Sequence, residues 1–143
     1  AGIQSPGLAS APAIAERVKE IIREERHPSV NDKFNPVRKR QVRFSELNLK
    51  EQDELVRANP RYGHIVCRCE NVSEEEVVRA LNDKIAARSL DGVKRRTRAG
   101  QGRCQGGFCM PRVVEIASRE MNIGKEHVVK SEGKSYVLSR RTK

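Results

Sequence analysis

The chain has no tryptophan, two tyrosines, three phenylalanines and two methionines, so aromatics make up only 3% of its 143 residues. That is a thin supply for a large core, and a sizeable independent catalytic domain is not expected. No window approaches the roughly 18 apolar residues that would span a bilayer, which excludes direct membrane insertion. No charged start followed by an apolar run reads as a secretory signal. The absence of an export signal predicts a cytoplasmic setting, with any membrane association made through a partner subunit. Histidine is also scarce, at three, and no serine or acid is tied to one by a motif. No base–nucleophile pair is therefore in view, and the fragment is not expected to turn over a substrate by itself.

Charge and cysteine are what the chain does have. Charged residues make up 34%, and 29 Lys plus Arg against 19 Asp plus Glu leave a net charge of +10. That excess splits +3 over residues 1–63 and +7 over residues 64–143. Four cysteines form two close pairs, Cys67-x-Cys69 and Cys104-x4-Cys109, separated by 34 residues. Such a set can make two disulfides or one tetrathiolate site, and a reducing compartment favours the metal. Small domains often need a staple of this kind.

Along the chain, residues 1–8 are rich in turn formers. Ser10 reads as an N-cap with Pro12 in the first helical turn, and Ile14, Val18, Ile21 and Ile22 mark one face of a helix to about Arg26. The first residue is not Met and the chain opens inside a motif, so it reads as a piece of a longer polypeptide. Residues 27–63, with His27-Pro28, Asn35-Pro36 and Arg38-Lys39-Arg40, read as a linker holding one short helix. Asn48 and Glu51 cap that helix, which Asn59-Pro60 stops near Ala58. His64 to Val66 reads as a short strand, and His64 itself as an ordinary residue.

The capping box Ser73-x-x-Glu76 opens a helix to about Asn82, with Val77, Val78 and Leu81 on its inner face. A second helix is expected from Leu90 to Ala99, ended by Gly100 as a left-handed cap, and a third from Pro111 to about Asn122, lined by Val114, Ala117 and Met121. Val128–Lys130 and Ser135–Leu138 suggest a terminal hairpin. The fold class is therefore mainly α: a small helical domain around a four-cysteine site with a short C-terminal β-hairpin.

Each cysteine pair precedes a predicted helix. Helix N-termini offer free N–H groups and a positive dipole end to an anionic thiolate site, and Gly102, Gly106 and Gly107 let backbone approach sulfur. From Lys94 to Arg112 there are six cations and no acid. They offset thiolate charge, form a solvated helix face, or dock an acidic partner. Neither pair has the C-x-x-C spacing usual in zinc ribbons, whereas [2Fe-2S] sites tolerate more varied loops. Zinc stays open as the alternative metal. Nucleic-acid binding is a weaker third reading, since aromatic side chains for base stacking are nearly absent.

The residues Ile65-Val66-Cys67-Arg68-Cys69-Glu70-Asn71-Val72-Ser73, Asp91 to Gly100 and Gly102-Arg103-Cys104-Gln105-Gly106-Gly107-Phe108-Cys109 resemble the bacterioferritin-associated-ferredoxin-like (BFD-like) [2Fe-2S] domain. They are similar in particular to the form fused to the C-terminus of anaerobic-type, FAD-dependent glycerol-3-phosphate dehydrogenases, which shares the longer C-x4-C spacing. The resemblance covers residues 64 to about 124. It implies that Cys67, Cys69, Cys104 and Cys109 ligate the cluster, that Thr97, Arg98, Arg103 and the glycine loop tune it, and that electrons pass from FAD through the cluster to a separate acceptor protein. Gly2 to Ala13 resembles the last flavin-contacting loop and helix of the amino-acid-oxidase-like FAD fold. That implies FAD contacts at Gly2, Ser5, Pro6, Gly7 and Leu8 in the full-length parent. No Gly-x-Gly-x-x-Gly follows a strand, so the fragment alone is not expected to bind FAD. The expected division is residues 1–26 as the end of an FAD-dependent oxidoreductase domain, 27–63 as linker and 64–143 as the [2Fe-2S] domain, with the FAD-binding domain of the parent as a partner.

Overall fold

In the computed structural model, which describes residues 3–37 and 40–140, the chain divides into two compact units, residues 1–40 and 41–143. The first unit is built on one helix, α1 (Gly7–Arg26). It starts a turn earlier than Ser10: Pro6 is the N-cap, and Ser10 lies inside the helix with its N–H on the Pro6 carbonyl at 3.0 Å. Pro12 is thus internal. Lacking an N–H, it leaves the Leu8 carbonyl without a helical partner, and this is tolerated because Leu8 is open to solvent. No residue of α1 is buried, and its apolar face of Ile14, Val18, Ile21 and Ile22 is exposed. The helix is held by its backbone ladder, by the left-handed cap at His27 and by the exposed pairs Arg17–Glu20 and Glu16–Lys19. Such pairs each contribute about 0.2–0.5 kcal/mol. Beyond it, the Asn31 and Asn35 side chains accept the N–H groups of Lys33 and Val37, a pattern of local turns.

The second unit has a core. Phe44 and Tyr62, inside the stretch that reads as a linker, are both buried, with ring centroids 6.4 Å apart. Between them lies α2 (Leu49–Ala58), opened by the expected box in which Asn48 and Glu51 satisfy each other's backbone N–H. Strand β1 (Ile65–Cys67) pairs antiparallel with the two-residue β2 (Val72–Ser73). The tight reversal between them holds Asn71 at a φ of +49°.

Ser73 then caps α3 (Glu74–Asn82), and the reciprocal bond from the Ser73 N–H to Glu76 completes the box at 2.9 Å. Helix α4 (Leu90–Thr97) is shorter than its pattern suggests. The Thr97 hydroxyl donates to the Val93 carbonyl and accepts the Ala99 N–H, which turns the chain out two residues early. The left-handed cap is Arg98, at a φ of +70°, in place of Gly100, which is itself left-handed further along. Helix α5 (Met110–Met121) begins one residue before Pro111 and ends on left-handed Asn122.

Helices α3, α4 and α5 pack on one another around Val77, Leu81, Val93, Val113 and Ile116. Each such aliphatic side chain contributes about 1.5–3 kcal/mol on burial. Val128 joins this core, fully buried. The expected hairpin is reduced to one bridge, Val129 with Tyr136. Its first arm serves α4 instead. The Val129 and Lys130 carbonyls accept the free N–H groups of Leu90 and Asp91 at the start of that helix, and the Lys130 ammonium meets the Asp91 carboxylate. The result is mainly α, as the sequence predicts. No helix among the described residues is long and apolar enough to cross a membrane.

Candidate metal centre

Two local structures bring the cysteines together. Cys67 ends β1, and Cys69 sits in the reversal before β2. Cys104 lies in the glycine loop, and Cys109 is the N-cap residue of α5. Only the second pair therefore has an open helix N-terminus beside it. The N-terminus of α3 is closed by its own capping box, so the first pair is positioned by a β-reversal rather than by a helix dipole.

All four are free thiols and line one concavity of about 410 Å³. They are arranged two and two. The Cys69 and Cys104 sulfurs are 3.6 Å apart, a hydrogen-bonding distance well beyond a disulfide, on the outer side where Cys69 is exposed. Cys67 and Cys109 are both buried and close enough to interact side chain to side chain.

The two sides differ in electrostatics. The backbone N–H groups of Phe108 and Gly106, followed by the Cys69 thiol, hold the Cys104 pKa below the ordinary thiol value, while the Gly107 N–H bonds to the Cys104 carbonyl at 2.9 Å and closes the loop. Burial, followed by the neighbouring Cys67, pushes Cys109 up to about 11. Coordination to a cationic metal centre deprotonates a thiol outright.

The glycine loop fits a bound group as the sequence suggests. A Cβ added at Gly102 would stand 2.2 Å from the Cys69 Cβ, so no side chain is admitted at that point without moving the ligand loop. Gly106 has a φ of +91°, the left-handed conformation that favours glycine in this loop. Glu70, next to Cys69, meets Arg98 at 2.6 Å. This bond joins the first cysteine loop to the end of α4 and accounts for a left-handed arginine there.

Among the described residues, no three His, Cys, Asp or Glu side chains converge as a site for one metal ion. A two-iron cluster takes two thiolates on each iron, and the four cysteines that line this concavity supply that number. His64 is engaged elsewhere, its Nδ1 3.1 Å from Glu74, which also meets Arg119 at 2.7 Å.

The other predicted site residues lie in the first unit. Ser5, Pro6, Gly7 and Leu8 form the entry to α1, with Leu8 exposed, and Gly2 is outside the described residues. Sequence reasoning placed Arg98, Arg103 and Arg112 near the site but missed the Glu70–Arg98 bridge and the places of Arg68 and Phe108 on the concavity. The uninterrupted cations from Lys94 to Arg112 were the available signal for those three arginines.

Residues 65–119, which contain all four cysteines, match the family described as the BFD-like [2Fe-2S] binding domain. The whole chain is 46% identical to a glycerol 3-phosphate dehydrogenase of Caloramator mitchellensis, of which it covers 30%. Over 82% of its length it is 35% identical to the hydrogen cyanide synthase subunit HcnB of Pseudomonas aeruginosa, covering 23% of that protein. Over 85% of its length it is 29% identical to an opine oxidase subunit of Rhizobium meliloti, covering 21%. The chain therefore spans less than a third of each of these curated relatives. No solved structure matches it significantly. The part of the chain that carries all four cysteines, residues 65–119, is thus similar to the BFD-like [2Fe-2S] binding domain.

Proposed function

We propose that the chain is the electron-transfer part of a longer flavin-dependent dehydrogenase, with Cys67, Cys69, Cys104 and Cys109 as the cluster ligands. The observation that carries this reading is the placement of all four thiols in one concavity, with the Cys69 and Cys104 sulfurs 3.6 Å apart on its outer side. When bound, the cluster supplies one-electron storage between a two-electron flavin and a one-electron acceptor. The chain's own residues do the rest. Gly106 and Phe108 stabilise negative charge on Cys104, the buried Cys67 and Cys109 keep water from the inner side, and Gly102 admits the Cys69 loop.

In the parent, Gly2, Ser5, Pro6, Gly7 and Leu8 contact FAD, and the exposed apolar face of α1 packs on the FAD-binding domain. Residues 1–26, 27–63 and 64–143 then act as the end of the flavin domain, the connection and the cluster domain. The 46% identity makes glycerol 3-phosphate the first substrate to try for the parent. The setting is cytoplasmic, and the acceptor is a separate protein or subunit.

The test is a visible spectrum with iron, sulfide and zinc assays on protein purified without oxygen. Two irons and two sulfides per chain, with bands bleached by dithionite, are the expected result. One zinc per chain that persists through attempted iron–sulfur reconstitution would replace the relay with a structural metal module.

A further inference from the structure

Several arginines of the second unit are engaged within the fold, and others are not. Arg98 is bound to Glu70, Arg119 to Glu74 and Glu120, and Arg96 to the Ile85 and Gly92 carbonyls. Arg68, Arg103 and Arg112 line the concavity itself, are exposed, and form no salt bridge among the described residues. No carboxylate among the described residues lines that concavity. Phe108 lines the same concavity as Cys69 and Cys104 and is 87% exposed. A partner that touches the Phe108 ring therefore sits on the lining of the site that holds the outer sulfur pair.

We propose that Arg68, Arg103, Arg112 and Phe108 form the docking face for an acidic one-electron acceptor protein. The proposal rests on the reading that the chain relays electrons, and adds to it where the electron leaves and what kind of surface receives it. Three exposed guanidinium groups in one concavity, with Arg112 also acting on the Glu115 carboxylate one turn along α5, attract carboxylates, steer encounter and orient it. An exposed aromatic among arginines is the composition of an interface anchor. A second copy of the chain fits poorly, since it would bring the same three cations to the face. The outer side is also the accessible one, with Cys69 exposed and Cys67 and Cys109 buried.

The test uses the cluster-loaded 143-residue chain, reduced with dithionite, and two protein probes of similar potential: an acidic and a basic cytochrome c. In each reaction one electron leaves the reduced chain and converts one ferric haem to ferrous. The readout is the ratio of the two second-order rate constants, taken on one sample so that changes in potential or loading cancel. At low ionic strength the ratio is expected to favour the acidic probe and to fall as salt is raised. Arg68→Glu with Arg112→Glu should lower it about tenfold or more, within the usual range of electrostatic steering. Lys50→Glu with Arg57→Glu, the same change in net charge placed on α2, should leave it nearly unchanged.

A second readout needs no electron transfer: calorimetric titration of the oxidised chain with the acidic cytochrome, expected to weaken with salt, with Arg68→Glu/Arg112→Glu and with Phe108→Ala. This readout decides the matter if the double variant loads cluster poorly. Equal effects of the two double variants, a preference for the basic probe, or tighter binding to a DNA duplex would each overturn the proposal. So would a longer chain carrying the flavin part in which Arg68→Glu/Arg112→Glu slows flavin-to-cluster transfer and spares the acceptor, since the face would then be an entry. A chain that takes up no iron and sulfide overturns the relay itself, whereas a loaded chain indifferent to probe charge overturns only the docking face.

Discussion

The two compact units carry apolar residues at similar helical spacings and use them in opposite ways. In α1, Ile14, Val18, Ile21 and Ile22 make a clean stripe that nothing in the described structure covers. In α3 and α5, Val77, Leu81, Val113 and Ile116 make comparable stripes that are almost entirely buried against each other and α4. Periodicity therefore reports that a helix has an inner face, and the partner for that face need not lie in the same piece of chain. The first unit is held by local backbone bonds, whereas the second is held by burial and long-range contact.

The sharpest break in this comparison is a cavity. Leu81→Ala should cost about 2–5 kcal/mol, seen as a fall in the urea midpoint of the second unit. A loss under about 1 kcal/mol, well below the cavity range, would mean that the α3–α5 seam is not the main support.

Next in size is Gly102→Ala. Its new Cβ meets the Cys69 Cβ at 2.2 Å, so the cysteine loop must move. Overpacking of this kind costs about 1–3 kcal/mol. Iron uptake per chain should fall with stability, and full uptake would show that the loop gives way freely.

Acid comes third. Glu74 is held below its ordinary pKa by its bond to Arg119, and Asp91 likewise by Lys130. Their contribution is complete above the ordinary carboxylate values of 4.5 and 3.8 and is lost as pH falls through the lowered folded values. Arg119→Met should remove no more than about 1 kcal/mol at neutral pH and flatten the loss between about pH 5 and about pH 2. An unchanged pH slope would sink the assignment.

The smallest effect is expected in the other unit. Ile21→Ala should shift stability by no more than about 0.5 kcal/mol in this chain, because Ile21 is exposed and outside the core. The same change in a longer chain should cost several times more if a flavin domain covers the face.

Legibility in the sequence followed the range of the interaction. Asn48–Glu51 and Ser73–Glu76 are boxes closed within four residues, and both stand as their spacing predicts. The start of α1 was misplaced because Ser10 has a capping side chain while Pro6 does not, yet the ladder closes one turn earlier. The end of α4 moved because Thr97 bonds both to the turn before it and to the residue beyond it, which no propensity encodes. The C-terminal strands shrank to one bridge because their backbone groups were needed at the start of α4, 39 residues away.

By itself the sequence determined the four thiols, the glycines between them, the capped helices and the surplus of arginine, since each is a matter of residue type and short spacing. The tertiary structure decided the rest. It paired Cys69 with Cys104 and Cys67 with Cys109, left Cys69 exposed and Cys104 half-buried while burying the second pair, and joined Glu70 to Arg98 across 28 residues. It also decided which arginines are neutralised and which remain at the mouth of the site. The physical reason is the same in each case: burial and ion pairing depend on which distant segments meet, and only the packing of α3, α4 and α5 settles that.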